Sequence, residues 1–261
     1  MDEFTTISTD MDARGVVYLT LRRPEKKNAL SALMIAELTE FARKIAKEPS
    51  ARVVVLRGDG DVFCAGGDLD WMKAQINADR AGRMAEARKL AQMLKGLNEM
   101  PLPLIGGVQG GAFGGGVGLA CVCDVVIAES GTKFGLTETR LGLIPATISP
   151  YVIARMGEGK ARRVFMSARI FSAAEAQALD LIADQVPAAE LEARIEAEIA
   201  PYLTVAPKAV GASKALARAL GPKIDDGVIE DTVKRLADTW EGAEAKAGID
   251  AFLNKTAPPW A

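Results

Sequence analysis

The chain has 261 residues, of which 49% are hydrophobic and 25% charged, and it contains no histidine. This composition is typical of a globular protein with a sizeable core, and the formal charge of −2 predicts no general attraction to nucleic acid or to an anionic membrane. The absence of histidine excludes Ser-His-Asp, Cys-His and histidine–metal chemistry.

The N-terminal half alternates predicted strands with predicted helices. Ser31 is a candidate N-cap for a helix whose apolar residues recur every three or four positions up to Ile45, and a long polar helix is predicted over residues 80–98. A turn at residues 12–15 joins the first two strands into a hairpin. The predicted strands cover residues 4–8, 16–21, 53–56, 102–108 and 124–128. Strands alternating with helices predict an α/β protein built from βαβ units.

The C-terminal part, after Pro150, is predicted to be mostly helical. Ser172 and Glu175 have the spacing of a capping box, residues 181–186 are the last strand candidate, and one long helix is predicted from Asp225 through Ala247. We expect an α/β core over residues 1–195 and a helical region over residues 196–261, part of which is offered to another subunit. One continuous core without subunit exchange is the alternative.

The sequence shows no targeting or redox signal. The N-terminus is acidic and polar, and no apolar stretch approaches the roughly 20 residues that span a bilayer, so we expect a cytoplasmic protein. Cys64, Cys121 and Cys123 are predicted to be buried small side chains, because their number is odd and their surroundings are apolar or glycine-rich. The sequence offers no cluster of metal ligands.

Two glycine-rich segments follow apolar strands, and they are the main candidates for a functional site. Residues 58–69 and 110–119 can bring backbone N–H groups close to a ligand, and two such loops side by side could form an oxyanion hole. Neither segment completes a dinucleotide-binding fingerprint, a P-loop or a G-x-S-x-G elbow. Glycine clusters alone also form tight turns without function.

Several further motifs, in the same order along the chain, resemble those of the enoyl-CoA hydratase/isomerase (crotonase) superfamily. The resemblance covers essentially the whole sequence and includes Phe252 near its end. It implies a spiral of ββα repeats with a helical C-terminal trimerisation region, assembled as trimers or dimers of trimers, that binds acyl-CoA thioesters and needs no separate cofactor. The motifs that carry it are R-P-E-K-K-N-A-L at 23–30, F-C-A-G-G-D-L at 63–69, G-G-G at 114–116, C-D at 123–124, F-G-L-T-E at 134–138 and L-G-L-I-P at 141–145.

The resemblance also implies roles for individual residues. The backbone N–H groups of Gly67 and Gly115 would bind the thioester oxygen as it gains enolate charge. The remaining matched positions would contact coenzyme A, although the two lysines could also be solvated turn residues. These positions are Ala65 and Leu69 at the adenine, Lys26 and Lys27 at the phosphates, and Phe252 and Lys255, which neighbouring subunits often supply.

Glu138 matches one of the two catalytic glutamates of the hydratases, whereas the second position is occupied by Gly118. Gly118 is therefore predicted to contact the acyl group, either as a lost second acid or as room for a bulkier substrate. Asp124 is tempting as a replacement acid, but it also occurs in two-glutamate members and is predicted to be structural.

One glutamate suits more than one reaction. Moving a double bond from the 3- to the 2-position needs a single base, and so does a hydration in which Glu138 takes a proton from water and delivers it to carbon. Residues 112–119 and 137–151 look like the branch of bacterial methylglutaconyl-CoA and carboxygeranoyl-CoA hydratases, which act in leucine and acyclic-terpene catabolism. We therefore predict hydration of a short 2-enoyl-CoA, branched or carboxylated forms included. Arg140 could bind a substrate carboxylate, but a solvated arginine is the preferred interpretation.

Other activities fit the sequence less well. A non-catalytic acyl-CoA-binding protein would keep the glycine loops but would not need Glu138. RNA binding would require a basic face that the balanced charge does not predict. A Clp-type serine peptidase has a related spiral fold, but its catalytic triad requires histidine.

Overall fold

A computed structural model describes residues 4–261, in which strands and helices alternate along the first half of the chain. The strands are β1 (Ile7–Met11), β2 (Val16–Leu21), β3 (Val53–Gly58), β4 (Leu104–Val108), β5 (Gly111–Phe113), β6 (Val125–Glu129), β7 (Lys133–Gly135), β8 (Ile170–Ser172) and β9 (Asp184–Val186). The helices are α1 (Ala32–Ile45), α2 (Leu69–Asn77), α3 (Arg80–Glu99), α4 (Gly115–Val122), α5 (Ser149–Met156), α6 (Glu158–Phe165), α7 (Ala173–Ala178), α8 (Leu191–Ile199), α9 (Pro207–Leu220), α10 (Asp226–Trp240) and α11 (Ala243–Asn254).

Two sheets form the core, which confirms the α/β class. The larger sheet has the order β1-β2-β3-β4-β6-β9, with only the β1–β2 pair antiparallel, and the smaller sheet has the order β5-β7-β8. The central strands are apolar on both faces because helices cover both sides of the larger sheet. Val54 faces the core shared with α1 and α3, whereas Val53 and Val55 face Ile195 and Ile199 of α8.

The helix caps and the first hairpin form where the sequence predicts them. The Ser31 hydroxyl accepts a hydrogen bond from the Met34 N–H at 3.2 Å, and the Ser172 hydroxyl accepts one from the Glu175 N–H at the same distance. The first hairpin turns at Gly15, whose φ of 81° is left-handed. The predicted helix caps and the hairpin are therefore confirmed.

Several predictions about elements were wrong or incomplete. Strand β1 begins at Ile7 rather than at residue 4, and the sequence did not predict helix α2 or the three-residue strands β5, β7 and β8 of the smaller sheet. The long C-terminal helix is interrupted, since α10 ends at Trp240 and α11 begins after Gly242. The two helices pack on different clusters, α10 on α3 and α11 on the segment after β7. Apolar residues nevertheless recur at helical spacing from Trp240 to Ala243, so periodicity alone could not reveal the interruption.

The two last helices lie against elements that carry the candidate site. Ile229 and Val233 of α10 pack on Ala87 and Ala91 of α3, and Ile249 of α11 packs on the segment after β7. Among residues 4–261, no helix combines the length and the apolar character needed to cross a membrane.

Candidate active site

One isolated β-bridge joins the two glycine-rich segments, and a second joins the first segment to Leu30. Cys64 pairs with Ala112. The Cys64 N–H donates a hydrogen bond to the Gly111 carbonyl at 3.1 Å, and the Cys64 carbonyl accepts one from the Phe113 N–H at 3.0 Å. Leu30 pairs in the same way with Gly67. Side chains cannot fit between the two loops, because a Cβ at Gly66 would lie 2.9 Å from the Phe113 carbonyl oxygen.

The N–H groups of Gly67 and Gly115 have no acceptor among residues 4–261. They are close together, since a Cβ at the neighbouring Gly66 would lie 3.8 Å from the Gly115 nitrogen. Gly115 is also the first residue of α4, where free N–H groups and the helix dipole favour negative charge. Two adjacent unpaired donors are the arrangement that an oxyanion hole requires.

The surroundings of these donors are apolar. Ring atoms of Trp71 and the Met72 side chain lie 3.7 Å from the position that a Cβ would take at Gly67, and Leu30 packs against Gly115. Gly67 is exposed and Gly115 is half-buried, so the donors are open to a ligand.

Glu138 lies beside this pair of donors. It is the first residue of a 3-10 turn, Glu138–Leu141, which we call the Glu138 turn. A Cβ at Gly114, the residue before Gly115, would lie 2.9 Å from Glu138 Oε1, while Oε2 is buried without a hydrogen-bond partner among the described residues. Burial raises the pKa of Glu138 to about 7, although its own backbone N–H acts in the opposite direction. A carboxyl group with this pKa can accept and return a proton near neutral pH.

The space beside Gly118, where the second glutamate would lie, is occupied. A Cβ at Gly118 would overlap Cγ2 of Ile148, would lie 3.0 Å from Ile148 Cβ, and would lie 3.7 Å from Leu94 Cδ1. Gly114, the N-cap of α4, faces Glu138, and Gly118 lies one helical turn further along the same face. Ile148 therefore fills the position next to Glu138 on this face of α4. The space that a side chain at position 118 would take is filled by Ile148, and a contact of Gly118 with the acyl group stays a prediction.

Four of the residues expected to contact coenzyme A, Lys26, Lys27, Ala65 and Leu69, lie near Gly67. The Ala65 N–H donates to the Lys27 carbonyl at 2.9 Å, and Lys26 Nζ is 3.7 Å from Asp70 of α2. Leu69, the first residue of α2, is about half exposed. Ala65 and Leu69 are therefore close to Gly66 and Gly67 in sequence, and the hydrogen bond and the ion pair bring Lys27 and Lys26 to the same segment.

Phe252 and Lys255 lie at the C-terminal end of α11. Phe252 is half exposed, and Lys255 ends the helix in the left-handed conformation. Their contact with coenzyme A stays a prediction. Arg140 is exposed on the Glu138 turn, as expected for a solvated arginine.

Asp124 has the structural role that the sequence indicates. Its carboxylate accepts a hydrogen bond from the Leu104 N–H at 2.7 Å and pairs with Lys214 at 2.7 Å. The three cysteines are buried and unbridged, and burial raises the pKa of each thiol to about 12, which leaves them protonated.

Sequence reasoning missed Gly114, Trp71 and Ile148 as parts of the site. Gly114 stands within a motif that was recognised, and its φ of 49° marks a turn that favours glycine. Trp71 and Ile148 look like ordinary apolar helix residues, so only their contacts with Gly67 and Gly118 show that they line the site.

Comparisons with known proteins agree with this geometry. Residues 12–261 match a family model described as enoyl-CoA hydratase/isomerase. A crystal structure of an enoyl-CoA hydratase from Shewanella pealeana is 34% identical, with a TM-score of 0.81 over 99% of this chain and 97% of that one. Pseudomonas aeruginosa AtuE is 37% identical, with a TM-score of 0.80 over 98% and 100% of the two chains. Mouse mitochondrial methylglutaconyl-CoA hydratase is 31% identical over 69% of this chain and 57% of its own length.

Proposed function

The chain belongs to the enoyl-CoA hydratase/isomerase family, and from that premise we propose that it hydrates a short 2-enoyl-CoA with Glu138 as its single acid and base. The observation that carries the proposal is one buried carboxyl group, whose Oε2 atom has no hydrogen-bond partner in residues 4–261, beside two unpaired backbone donors. Sequence relatives named enoyl-CoA hydratase, one of them 33% identical over 98% of this chain, support hydration over isomerisation.

The proposed reaction needs only these groups. The Glu138 carboxylate takes a proton from water while the water oxygen bonds to the β-carbon, and the electron pair of the double bond moves toward the thioester oxygen. The Gly67 and Gly115 N–H groups hold that oxygen, and they bind it more strongly as its charge grows. The protonated Glu138 then delivers its proton to the α-carbon, and the carbonyl re-forms. Because Ile148 takes the place of a second acid, one group performs both transfers.

The substrate class proposed is a short acyl-CoA, with branched or carboxylated chains of the methylglutaconyl type included. Its support is the resemblance of residues 137–151 to that branch and the mouse relative. Lys26, Lys27, Ala65 and Leu69 would hold coenzyme A beside the donors, with Phe252 and Lys255 from the same or a neighbouring subunit.

Self-association is part of the proposal. Helix α9 has no buried residue in the single chain, yet Leu216 is 61% exposed and Leu220 is 81% exposed. Apolar side chains this exposed on one helix are typical of an interface. We expect α9 to pack against further copies in a trimer or a dimer of trimers.

Substitution of Glu138 by glutamine tests the function. We expect turnover of the best substrate to fall roughly 10²–10⁴-fold, the usual contribution of a general acid–base, with coenzyme A thioester binding retained by calorimetry. Glu190→Gln, at an exposed position, is the matched control. A Glu138→Gln protein that keeps most of its rate would refute the assignment.

A panel of substrates separates the alternatives. Crotonyl-CoA, 3-methylglutaconyl-CoA and a 3-enoyl-CoA are assayed side by side with the unmodified protein. Faster conversion of the 3-enoyl-CoA would identify an isomerase that uses Glu138 as its sole base, and binding without conversion of any of the three would identify an acyl-CoA-binding protein.

A further inference from the structure

The Glu138 carboxylate is placed by the backbone of its turn and by the atoms that bury it, without an ion pair among the described residues. Its Oε2 atom has no hydrogen-bond partner in the described part of the chain, and no cation pairs with it there. The turn itself is closed by backbone hydrogen bonds, from the Leu143 N–H to the Glu138 carbonyl at 3.1 Å and from the Gly142 N–H to the Thr139 carbonyl at 3.2 Å. A displacement of the turn would therefore displace the carboxylate.

Helix α11 contacts this turn backbone to backbone, at two glycines. A Cβ at Gly248 would lie 2.6 Å from the carbonyl carbon of Leu141 and 2.8 Å from its oxygen. A Cβ at Gly142 would lie 2.5 Å from the Glu244 carbonyl oxygen, and the φ of Gly142, 68°, also favours glycine. No flexible side chain lies between helix and turn at these points, so neither partner can yield by a rotamer change.

Helix α11 is itself firmly supported. Ala245 and Ile249 are buried against Leu143, in a cluster completed by partly buried side chains of Ile76, Leu141, Trp240 and Leu253. Helix α10, which leads into α11, is tied to α3 by ion pairs of Arg80 with Asp238 and Glu241, both at 2.6 Å. A side chain added between α11 and the Glu138 turn would therefore displace the turn as well as the helix.

Glycine inside a helix costs about 1 kcal/mol relative to alanine, so Gly248 is unfavourable for α11 on its own. We propose that Gly248 is a positioning residue: its missing side chain lets α11 support the Glu138 turn at the distance that places the carboxylate beside the Gly67 and Gly115 donors. The inference rests on the proposed role of Glu138. It adds a support, more than 100 residues away in sequence, on which the reaction depends.

The test is Gly248→Ala, with Gly159→Ala as the matched control. Gly159 is also helical, in α6, and a Cβ there would meet nothing within 4 Å, so this variant adds the same methyl group to a helix without a steric contact. For Gly248→Ala we expect kcat to fall roughly 10–100-fold, the cost of an ångström-scale misplacement, while KM changes less than about 3-fold. The pH midpoint of kcat should also fall, because a displaced carboxylate gains solvent. Gly159→Ala should change neither quantity.

A second pair of variants covers the case in which Gly248→Ala does not fold. Ile249→Val and Ile229→Val each remove one methyl group from a buried isoleucine of the last two helices, but only Ile249 belongs to the cluster at the Glu138 turn. We expect Ile249→Val to lower kcat several-fold more than Ile229→Val. Equal effects in this pair, or a folded Gly248→Ala protein with unchanged kcat and pH midpoint, would overturn the inference.

Glu138→Gln in the same assays separates the two levels of the argument. If Glu138→Gln is inactive while Gly248→Ala is normal, only the positioning role fails. If Glu138→Gln remains active, the proposed function fails first, and the role of Gly248 with it.

Discussion

Ionisation of Glu138 should make the folded protein less stable as the pH rises. Burial raises the pKa of this carboxyl group from 4.5 to about 7, so the folded chain holds its proton more tightly than the unfolded chain does. This contribution to stability is complete below pH 4.5 and is lost as the pH rises through 7. The full difference corresponds to about 3 kcal/mol of unfolding free energy.

Glu138→Gln removes the titration while it keeps the size of the side chain. The new amide group changes the free energy of unfolding by a similar amount at every pH. The informative quantity is therefore the pH dependence of the difference in unfolding free energy between the variant and the unmodified protein. Between pH 5 and pH 8.5 we expect that difference to move by roughly 2–3 kcal/mol in favour of the variant.

Urea unfolding of both proteins at the two pH values, at one protein concentration, measures the change. All other titrating groups are shared by the two proteins, so their contributions cancel in the comparison. Glu190→Gln should run parallel to the unmodified protein. If Glu138→Gln also runs parallel, the carboxyl group is not desolvated in the folded chain, and the reasoning that gives it a pKa suited to catalysis is refuted.

Three further predictions follow from contacts elsewhere in the chain. Gly118→Ala should destabilise the protein by roughly 1–3 kcal/mol, because the new methyl group overlaps Ile148. The loss should be much smaller when Ile148→Ala is also present, and additive effects of the two substitutions in urea unfolding would contradict this packing. Arg23→Met should cost roughly 3–5 kcal/mol in the same assay, because it leaves the buried Asp68 carboxylate without its partner at 2.9 Å, and a loss below about 1 kcal/mol would show that the pair is not needed. Leu216→Lys with Leu220→Lys should convert the assembly to monomers in light scattering, whereas an unchanged mass would exclude α9 as the interface.

Much of the site was predictable from sequence because its signals are local. Gly67, Gly115 and Glu138 stand in short motifs, and the structure brings these motifs together around one point. The hydroxyl caps at Ser31 and Ser172 depend on atoms three residues away, so local spacing was enough to place them. The helix α2 was missed because it carries only one buried residue, Gln75, and so has no apolar stripe for periodicity to detect.

The sequence by itself determined the chemical groups: backbone donors at two glycine loops, one carboxylate, and no imidazole. Only the tertiary structure decided how these groups are set. It showed that Ile148 occupies the space beside Gly118, that burial shifts the pKa of Glu138, and that Gly248 brings α11 against the Glu138 turn. These properties depend on contacts between residues 24 to more than 100 positions apart. Such contacts, and the exclusion of water that they cause, leave no periodic trace in the sequence of either partner.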